Sequence, residues 1–288
     1  MQRKGIILAG GSGTRLYPIT MGVSKQVLPI YDKPMVYYPL SVLMLAGIRD
    51  IAIITTPEDQ AQFQRLLGDG GQWGVRFEWI VQPRPEGLAQ AYILAAGFLN
   101  GAPSMMVLGD NLFFGHGLPE MLARADAQPL GGTVFGYRVA DPQRYGVVDF
   151  DGAGRVRAII EKPAVPPSNF AVTGLYCLDG TAPDKAARVT PSPRGELEIV
   201  SVLEAYLAEG TLTVETMGRG FAWLDTGTHE SLLDAGNFVR TLEERQGLLM
   251  GSPDEVAYRQ GWIDRAALMA RAAMFGKNRY GAYLAALD

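Results

Sequence analysis

Through its first half the chain alternates short apolar runs with helix-like stretches, and few folds accept that order. Gly5–Ala9 is the first run, and Ile51–Thr55, Phe77–Val81 and Ser104–Leu108 follow it. Met35–Ala46, introduced by Pro34 and stopped by Gly47, separates the first two. Glu58–Leu67 and the Ala-rich Leu88–Leu99 separate the rest. Strands spaced by helices of this length predict an α/β fold: a Rossmann-like, mostly parallel mixed sheet flanked by helices.

From Thr133 the pattern changes. Thr133–Val139 reads as a strand, Val147–Phe150 and Val156–Ile160 flank Asp151-Gly152 as a hairpin, and Phe170–Leu178 is a further strand. Glu196–Glu209 is helical, Leu212–Glu215 strand-like, and Pro163–Pro167 a surface loop. From Thr228 the chain is nearly all helix. The expected organisation is an α/β domain over residues 1–227 with an antiparallel insertion, then a C-terminal helical segment over 228–288.

Composition narrows the function. The net charge of −4 provides no global basic surface, which argues against nucleic acid or an anionic membrane as partner. Cys177 is the single cysteine, excluding an intrachain disulfide, a Cys-ligated zinc or a CxxC pair. Ile6–Ala9 is too short for a signal-peptide core, and no run approaches the roughly 18 residues of a membrane helix, so the chain reads as cytoplasmic. His116 and His229 are the only histidines, each expected near a helix start, which disfavours histidine-based catalysis or a His-rich metal site.

Gly10-Gly11-Ser12-Gly13-Thr14-Arg15 follows the first strand directly. Backbone N–H groups in such a turn can surround a phosphate, and glycine permits close approach. The turn is neither of two familiar phosphate loops: no Lys-Ser/Thr follows the glycines, and Leu16 stands where the dinucleotide fingerprint needs a third glycine. Arg15 and Lys25 place two cations beside the turn, which suits a triphosphate. Asp110 and Asp225 each end an apolar run, and together they fit a Mg²⁺ site, since Mg²⁺ commonly takes one or two carboxylates plus substrate phosphates. Such equipment suits phosphoryl-type transfer, where catalysis is mostly positioning and charge neutralisation. A sugar 1-phosphate is already an anionic nucleophile and needs no general base. Lys162 and Arg194 are candidates to hold its phosphate, with a surface ion pair as the alternative reading of Glu161-Lys162.

Gly10–Leu16 with Ser24-Lys25-Gln26, Gln82–Ala91, Leu108–Asn111, Pro193–Ile199 and Trp223–Thr228 resemble, in order, the motifs of the sugar nucleotidylyltransferases. End to end the chain is similar to their glucose-1-phosphate thymidylyltransferase family. The resemblance implies Mg²⁺-dependent direct displacement between dTTP and α-D-glucose 1-phosphate, giving dTDP-glucose and pyrophosphate as the first step of dTDP-L-rhamnose or other deoxysugar synthesis. It implies that Gly10, Gly11, Gly13, Thr14, Arg15, Lys25 and Gln26 bind the triphosphate end. It also implies that Gln82 reads the pyrimidine, since an amide offers the donor and acceptor the base requires, while Gly87 lets backbone approach it. Asn111, Tyr145, Gly146, Glu161 and Val172 would bind the sugar, Lys162 and Arg194 its phosphate, and Asp110 and Asp225 the Mg²⁺. A homotetramer is implied, with a dTDP-sugar regulator bound at a second site near Gly115–Glu120 and Gly251–Arg259. There the chain departs from the more polar family versions, and Pro119 removes a backbone donor, which predicts weakened end-product inhibition. Two other readings are a glucose-1-phosphate uridylyltransferase using UTP, and a nucleotide-sugar sensor without turnover.

Overall fold

The first strand is buried on both sides: Ile6 and Leu8 enter one hydrophobic core, Ile7 and Ala9 the other. A strand covered on both faces runs apolar without alternation, as Ile6–Ala9 does. The computed structural model describes residues 1–11 and 13–288. Among them are the strands β1 (Lys4–Ala9), β2 (Pro29–Ile30), β3 (Lys33–Pro34), β4 (Asp50–Thr55), β5 (Arg76–Val81), β6 (Ser104–Leu108) and β7 (Asn111–Phe114). There follow β8 (Gly132–Arg138), β9 (Gly146–Phe150), β10 (Val156–Glu161), β11 (Phe170–Leu178), β12 (Leu212–Met217) and β13 (Ala222–Asp225). The main sheet runs β10-β9-β11-β6-β1-β4-β5, with β8 joined to β11 and β12 to β8. Strands β6, β1, β4 and β5 are mutually parallel. β11 runs antiparallel to β6, β8 and β9, and β9–β10 is the expected hairpin.

The α/β reading therefore holds, with the antiparallel insertion grafted onto the β6 edge. Element ends shift where distant backbone competes. The helix read over Leu88–Leu99 begins at Gln90 because the preceding segment pairs with Leu197: Leu197 N–H donates to Glu86 O (2.6 Å) and Ala89 N–H to Leu197 O (3.0 Å). The same pairing delays the helix read from Glu196 to Ile199. The former helix is also divided at Ala95, with a short second piece, Ala96–Leu99, containing Gly97.

The chain leaves β1 toward β4 and β5, then returns to place β6 on β1's other side. The carboxyl ends of β1 and β6 thus flank a topological switch point, where open α/β sheets bind ligands. Immediately past it a separate two-stranded ribbon forms: β7 pairs antiparallel with β13, setting Asp225 opposite Asn111.

The C-terminal helices are His229–Gln246, Pro253–Arg259, Arg265–Phe275 and Arg279–Ala286. Thr228 caps the first, its Oγ1 accepting from Ser231 N–H at 3.1 Å. That helix buries Ala235 and Val239 against Leu16, Leu28, Ile30 and Leu112, so it shares a core with the segment after the glycine turn. A buried ion pair, Lys33 Nζ to Glu243 Oε1 at 2.7 Å, ties it to the β2–β3 hairpin. No helix among the described residues is long and apolar enough to cross a membrane.

Candidate active site at the switch point

The glycine turn needs its glycines for two different reasons. Gly11 and Gly13 adopt φ of 103° and 59°, where a side chain is strained. Gly10 needs space: an added Cβ would lie 1.8 Å from Gln82 Oε1. Gln82 is buried, donating from Nε2 to Gln90 Oε1 at 2.7 Å, while Gln90 in turn donates to Glu86 Oε2 at 2.8 Å. The amide expected to read a base is therefore aimed by a relay of polar side chains across the turn. Gln26 is buried differently: its Oε1 accepts from Ser24 Oγ (2.9 Å) and its Nε2 reaches Gly10 O (3.3 Å). It braces the turn from beneath. Gly87, at φ 115°, leaves room for the backbone of Leu197, which a Cβ would meet at 2.4 Å. A groove of about 680 Å³ opens here, lined by Gly11, Gly13, Lys25, Gln62, Pro83 and Pro85.

At the centre Lys25 Nζ meets Asp110 Oδ2 at 2.5 Å, and Asn111 Nδ2 donates to Asp110 Oδ1 at 2.8 Å. Burial opposes charge on Asp110, but the Lys25 ammonium and these hydrogen bonds outweigh it and hold its carboxyl below the usual range. Thr226 fastens the second carboxylate strand to the first, donating from Oγ1 to Asp110 O at 2.9 Å. Asp225 accepts from Tyr145 Oη at 3.0 Å through Oδ1, while Arg144 stands 3.6 Å from Oδ2. Burial and then the neighbouring Asp225 charge push the Tyr145 phenol up, so it stays a donor at neutral pH.

Beyond this pair lies a cavity of about 300 Å³, lined by Arg15, Asp110, Asn111, Tyr145, Gly146, Glu161, Lys162, Val172 and Asp225 among others. Lys162 has φ 42°, a left-handed conformation costly for a residue with a Cβ, and its backbone N–H donates to Tyr145 O at 3.0 Å. The fold thus spends strain to aim this side chain. The Lys162 ammonium lies 3.5 Å from Glu161 Oε1. Arg194 is held by Glu198 (2.7 Å) and Glu161 (3.1 Å) at the cavity's edge. Asn111 Oδ1 accepts from Trp223 Nε1 (2.6 Å) and Gly174 N–H (3.1 Å), so its carbonyl is committed to the protein and an Nδ2 hydrogen is what remains for a ligand.

The arrangement is a glycine-lined groove and a polar, sugar-sized cavity meeting at two carboxylates and a lysine. Comparison with known proteins agrees. A family model described as nucleotidyl transferase matches residues 4–241. A glucose-1-phosphate thymidylyltransferase of Xanthomonas campestris pv. campestris (strain B100) is 64% identical over 99% of this chain and 97% of its own. The chain belongs to the glucose-1-phosphate thymidylyltransferases of that family. Another relative of that name, from Neisseria gonorrhoeae, is 56% identical over 98% of each chain. A solved Bacillus anthracis structure assigned to the same activity, in complex with a sucrose, superposes with TM-score 0.77 at 39% identity, covering 83% of this chain and 96% of that one. A UDP-glucose pyrophosphorylase complexed with UDP-glucose, 23% identical over 84% of this chain and 100% of its own, shares the fold with TM-score 0.75.

In this nucleotidyltransferase the sites read from sequence converge. Arg15 and all of the sugar-side residues except Arg194 line one cavity, and Lys25 joins it to the groove. Sequence reading gave no role to Arg144, Tyr176, Glu198 or Trp223, which also line the cavity. Trp223 and Glu198 lay within quoted motifs, but nothing in the linear pattern points Arg144 at Asp225. His116 and His229 are exposed beside helix starts, outside both cavities. Across the molecule Gly115, Leu118 and Pro119 come together with Gly251, Glu255 and Arg259 around a third cavity of about 490 Å³. Pro119 occupies the first turn of the Leu118–Asp126 helix, where its missing N–H breaks no helical bond.

Proposed function

We propose that this chain transfers the thymidylyl group of dTTP to α-D-glucose 1-phosphate, releasing pyrophosphate, as the entry step to a dTDP-deoxysugar such as dTDP-L-rhamnose. The observation that carries this reading is the Lys25–Asp110 pair, which stands where the phosphate groove meets the sugar-sized cavity. The site fits a divalent cation. Asp110 and Asp225 are partly buried and fixed by the β7–β13 register and Thr226, while no group of three or more His, Cys, Asp or Glu among the described residues forms an all-protein cage. Mg²⁺ is held in that manner, by few carboxylates plus substrate oxygens. When bound, it supplies neutralisation of the negative charge on the reacting phosphates.

The chain's own residues do the rest. Gly10, Gly11, Gly13 and Thr14 offer backbone to the triphosphate, with Arg15 and Lys25 neutralising its charge. Gln82 meets the pyrimidine edge. Tyr145, Gly146, Glu161 and Val172 enclose the glucose, while Lys162 and Arg194 orient its phosphate so that one oxygen faces the α-phosphorus. That oxygen forms the new P–O bond, the bond from α-phosphorus to the bridging oxygen breaks, and pyrophosphate leaves with the electron pair. No proton needs abstraction from the nucleophile, which agrees with both histidines lying outside the two cavities. The third cavity takes a dTDP-sugar regulator, and the 228–288 segment contributes to the interface of a homotetramer.

Pyrophosphate release from dTTP, glucose 1-phosphate and Mg²⁺, with and without EDTA, tests the reading. Sugar-phosphate-dependent, EDTA-sensitive release that Asp110→Asn lowers at least about 100-fold is expected. UTP turned over as well as dTTP would move the assignment to a uridylyltransferase, and nucleotide binding without release would favour a sensor.

A further inference from the structure

Among the described residues every candidate phosphate-binding cation except Arg15 rests on a carboxylate: Lys25 on Asp110, Lys162 on Glu161, and Arg194 on Glu198 and Glu161. Arg144 stands between two carboxylates, and its pairing with Asp225 is the looser of the two. Its NH2 lies 3.6 Å from Asp225 Oδ2, too far for a hydrogen bond, while NH1 is anchored on Asp141 Oδ2 at 2.9 Å. The guanidinium lies over the Tyr145 ring at 5.4 Å, and its side chain is 44% exposed, against 11% for Lys25. Tyr145 in turn donates to the other oxygen of Asp225.

We propose that Arg144 neutralises Asp225 in the metal-free enzyme and moves onto the phosphate of glucose 1-phosphate when a divalent cation takes that carboxylate. The inference rests on the proposed roles of Asp225 and of the sugar-side cavity. A divalent cation at Asp225 replaces attraction with repulsion for a guanidinium this close, because Arg remains charged at any relevant pH. Lys162 and Arg194 keep their carboxylate partners, whereas Arg144 gives up Asp225 at that moment and retains Asp141 alone. Its planar fork also matches a phosphate better than a lone ammonium does. Metal and sugar phosphate then bind in mutual dependence, each tightening the other by the same factor.

The test is Mn²⁺ binding, followed by electron paramagnetic resonance of the free ion, with and without glucose 1-phosphate and without nucleotide. In the unaltered enzyme glucose 1-phosphate should tighten Mn²⁺ binding by about tenfold, within the usual range of such couplings. In Arg144→Gln, Mn²⁺ alone should bind several-fold tighter and the sugar phosphate should lose its effect, with Arg144→Lys recovering part of the coupling. Asp141→Asn gives the opposite shift: freed from its second anchor, Arg144 leans on Asp225, and Mn²⁺ alone binds more weakly. It also serves as the test if Arg144→Gln does not fold. Unchanged Mn²⁺ affinity and coupling in folded Arg144→Gln, or no weakening in Asp141→Asn, overturns the proposal. If the unaltered enzyme with Mn²⁺ binds no glucose 1-phosphate by calorimetry, the sugar-site reading itself has failed.

Discussion

Gly10→Ala separates the stability of the fold from the aim of Gln82, the proposed base reader. The new methyl lies 1.8 Å from Gln82 Oε1, 3.0 Å from its Cδ and 3.9 Å from its Cβ. The obstacle is therefore the far end of one side chain, which can rotate away. Rotation breaks the 2.7 Å bond to Gln90 Oε1, while that oxygen keeps the Glu86 N–H at 3.1 Å. Losing one buried hydrogen bond costs about 1–3 kcal/mol, so the protein should stay folded with a modestly lower urea midpoint. The displaced amide can no longer present its donor and acceptor to a pyrimidine, and a similar energy is then lost from nucleotide binding. That corresponds to a fall of about 10–100-fold in kcat/KM for dTTP, carried mainly by KM. Pyrophosphate release at saturating glucose 1-phosphate over a dTTP series measures it, with urea unfolding as the control. A kcat/KM within about twofold of the unaltered enzyme would refute the assignment of Gln82.

Lys33→Ala should be far more damaging to stability than its distance from the chemistry suggests. It strands Glu243, which is fully buried, at a cost of about 3–5 kcal/mol, read by urea unfolding; Lys33→Met with Glu243→Leu should recover most of the loss. Asp179 supplies a pH-dependent element. Burial resists its charge, yet hydrogen bonds from Thr181, Gly131 and Tyr206 hold its carboxyl below the usual value. A depressed carboxylate stabilises above its unfolded pKa of about 3.9 and loses that contribution as pH falls through the folded value. The stability gap between the unaltered protein and Asp179→Asn should therefore be widest near neutrality and close in acid, as urea midpoints across pH would show. Finally, dTDP-rhamnose should inhibit this chain weakly, because Pro119 withdraws one backbone donor from the third cavity; strong inhibition in a titration would remove that argument.

The parallel half of the sheet was legible because its strands are buried on both faces, and the resulting apolar runs survive in the linear sequence. Glycine spacing exposed the tight turn after β1 for a similar reason, since backbone conformation at Gly11 and Gly13 demands the residue type. What the sequence hides is pairing. The β7–β13 ribbon joins residues far apart in the chain, so Asn111–Phe114 carried no strand signal of its own length. Gln26 shows a different gap: its place in a motif suggested a ligand contact, whereas its side chain serves the turn. Arg144 was invisible because one arginine beside a tyrosine is ordinary, and only Asp225 arriving from β13 gives it meaning.

That ribbon has a consequence for how such enzymes diversify. The chain leaves it at Phe114 and returns at Ala222, directly alongside, so the two ends of the intervening 115–221 segment are clamped together, while β11 within that segment is held separately on β6. Cavity-lining residues of that segment such as Glu161 and Val172 stand outside the ribbon, and exchanging them leaves intact the register and the Thr226 bond that set the spacing of Asp110 and Asp225. A one-residue deletion within either strand of the ribbon, by contrast, would reverse the facing of the side chains that follow it in that strand. The cavity wall is thus open to exchange in this architecture, whereas the paired carboxylates are not.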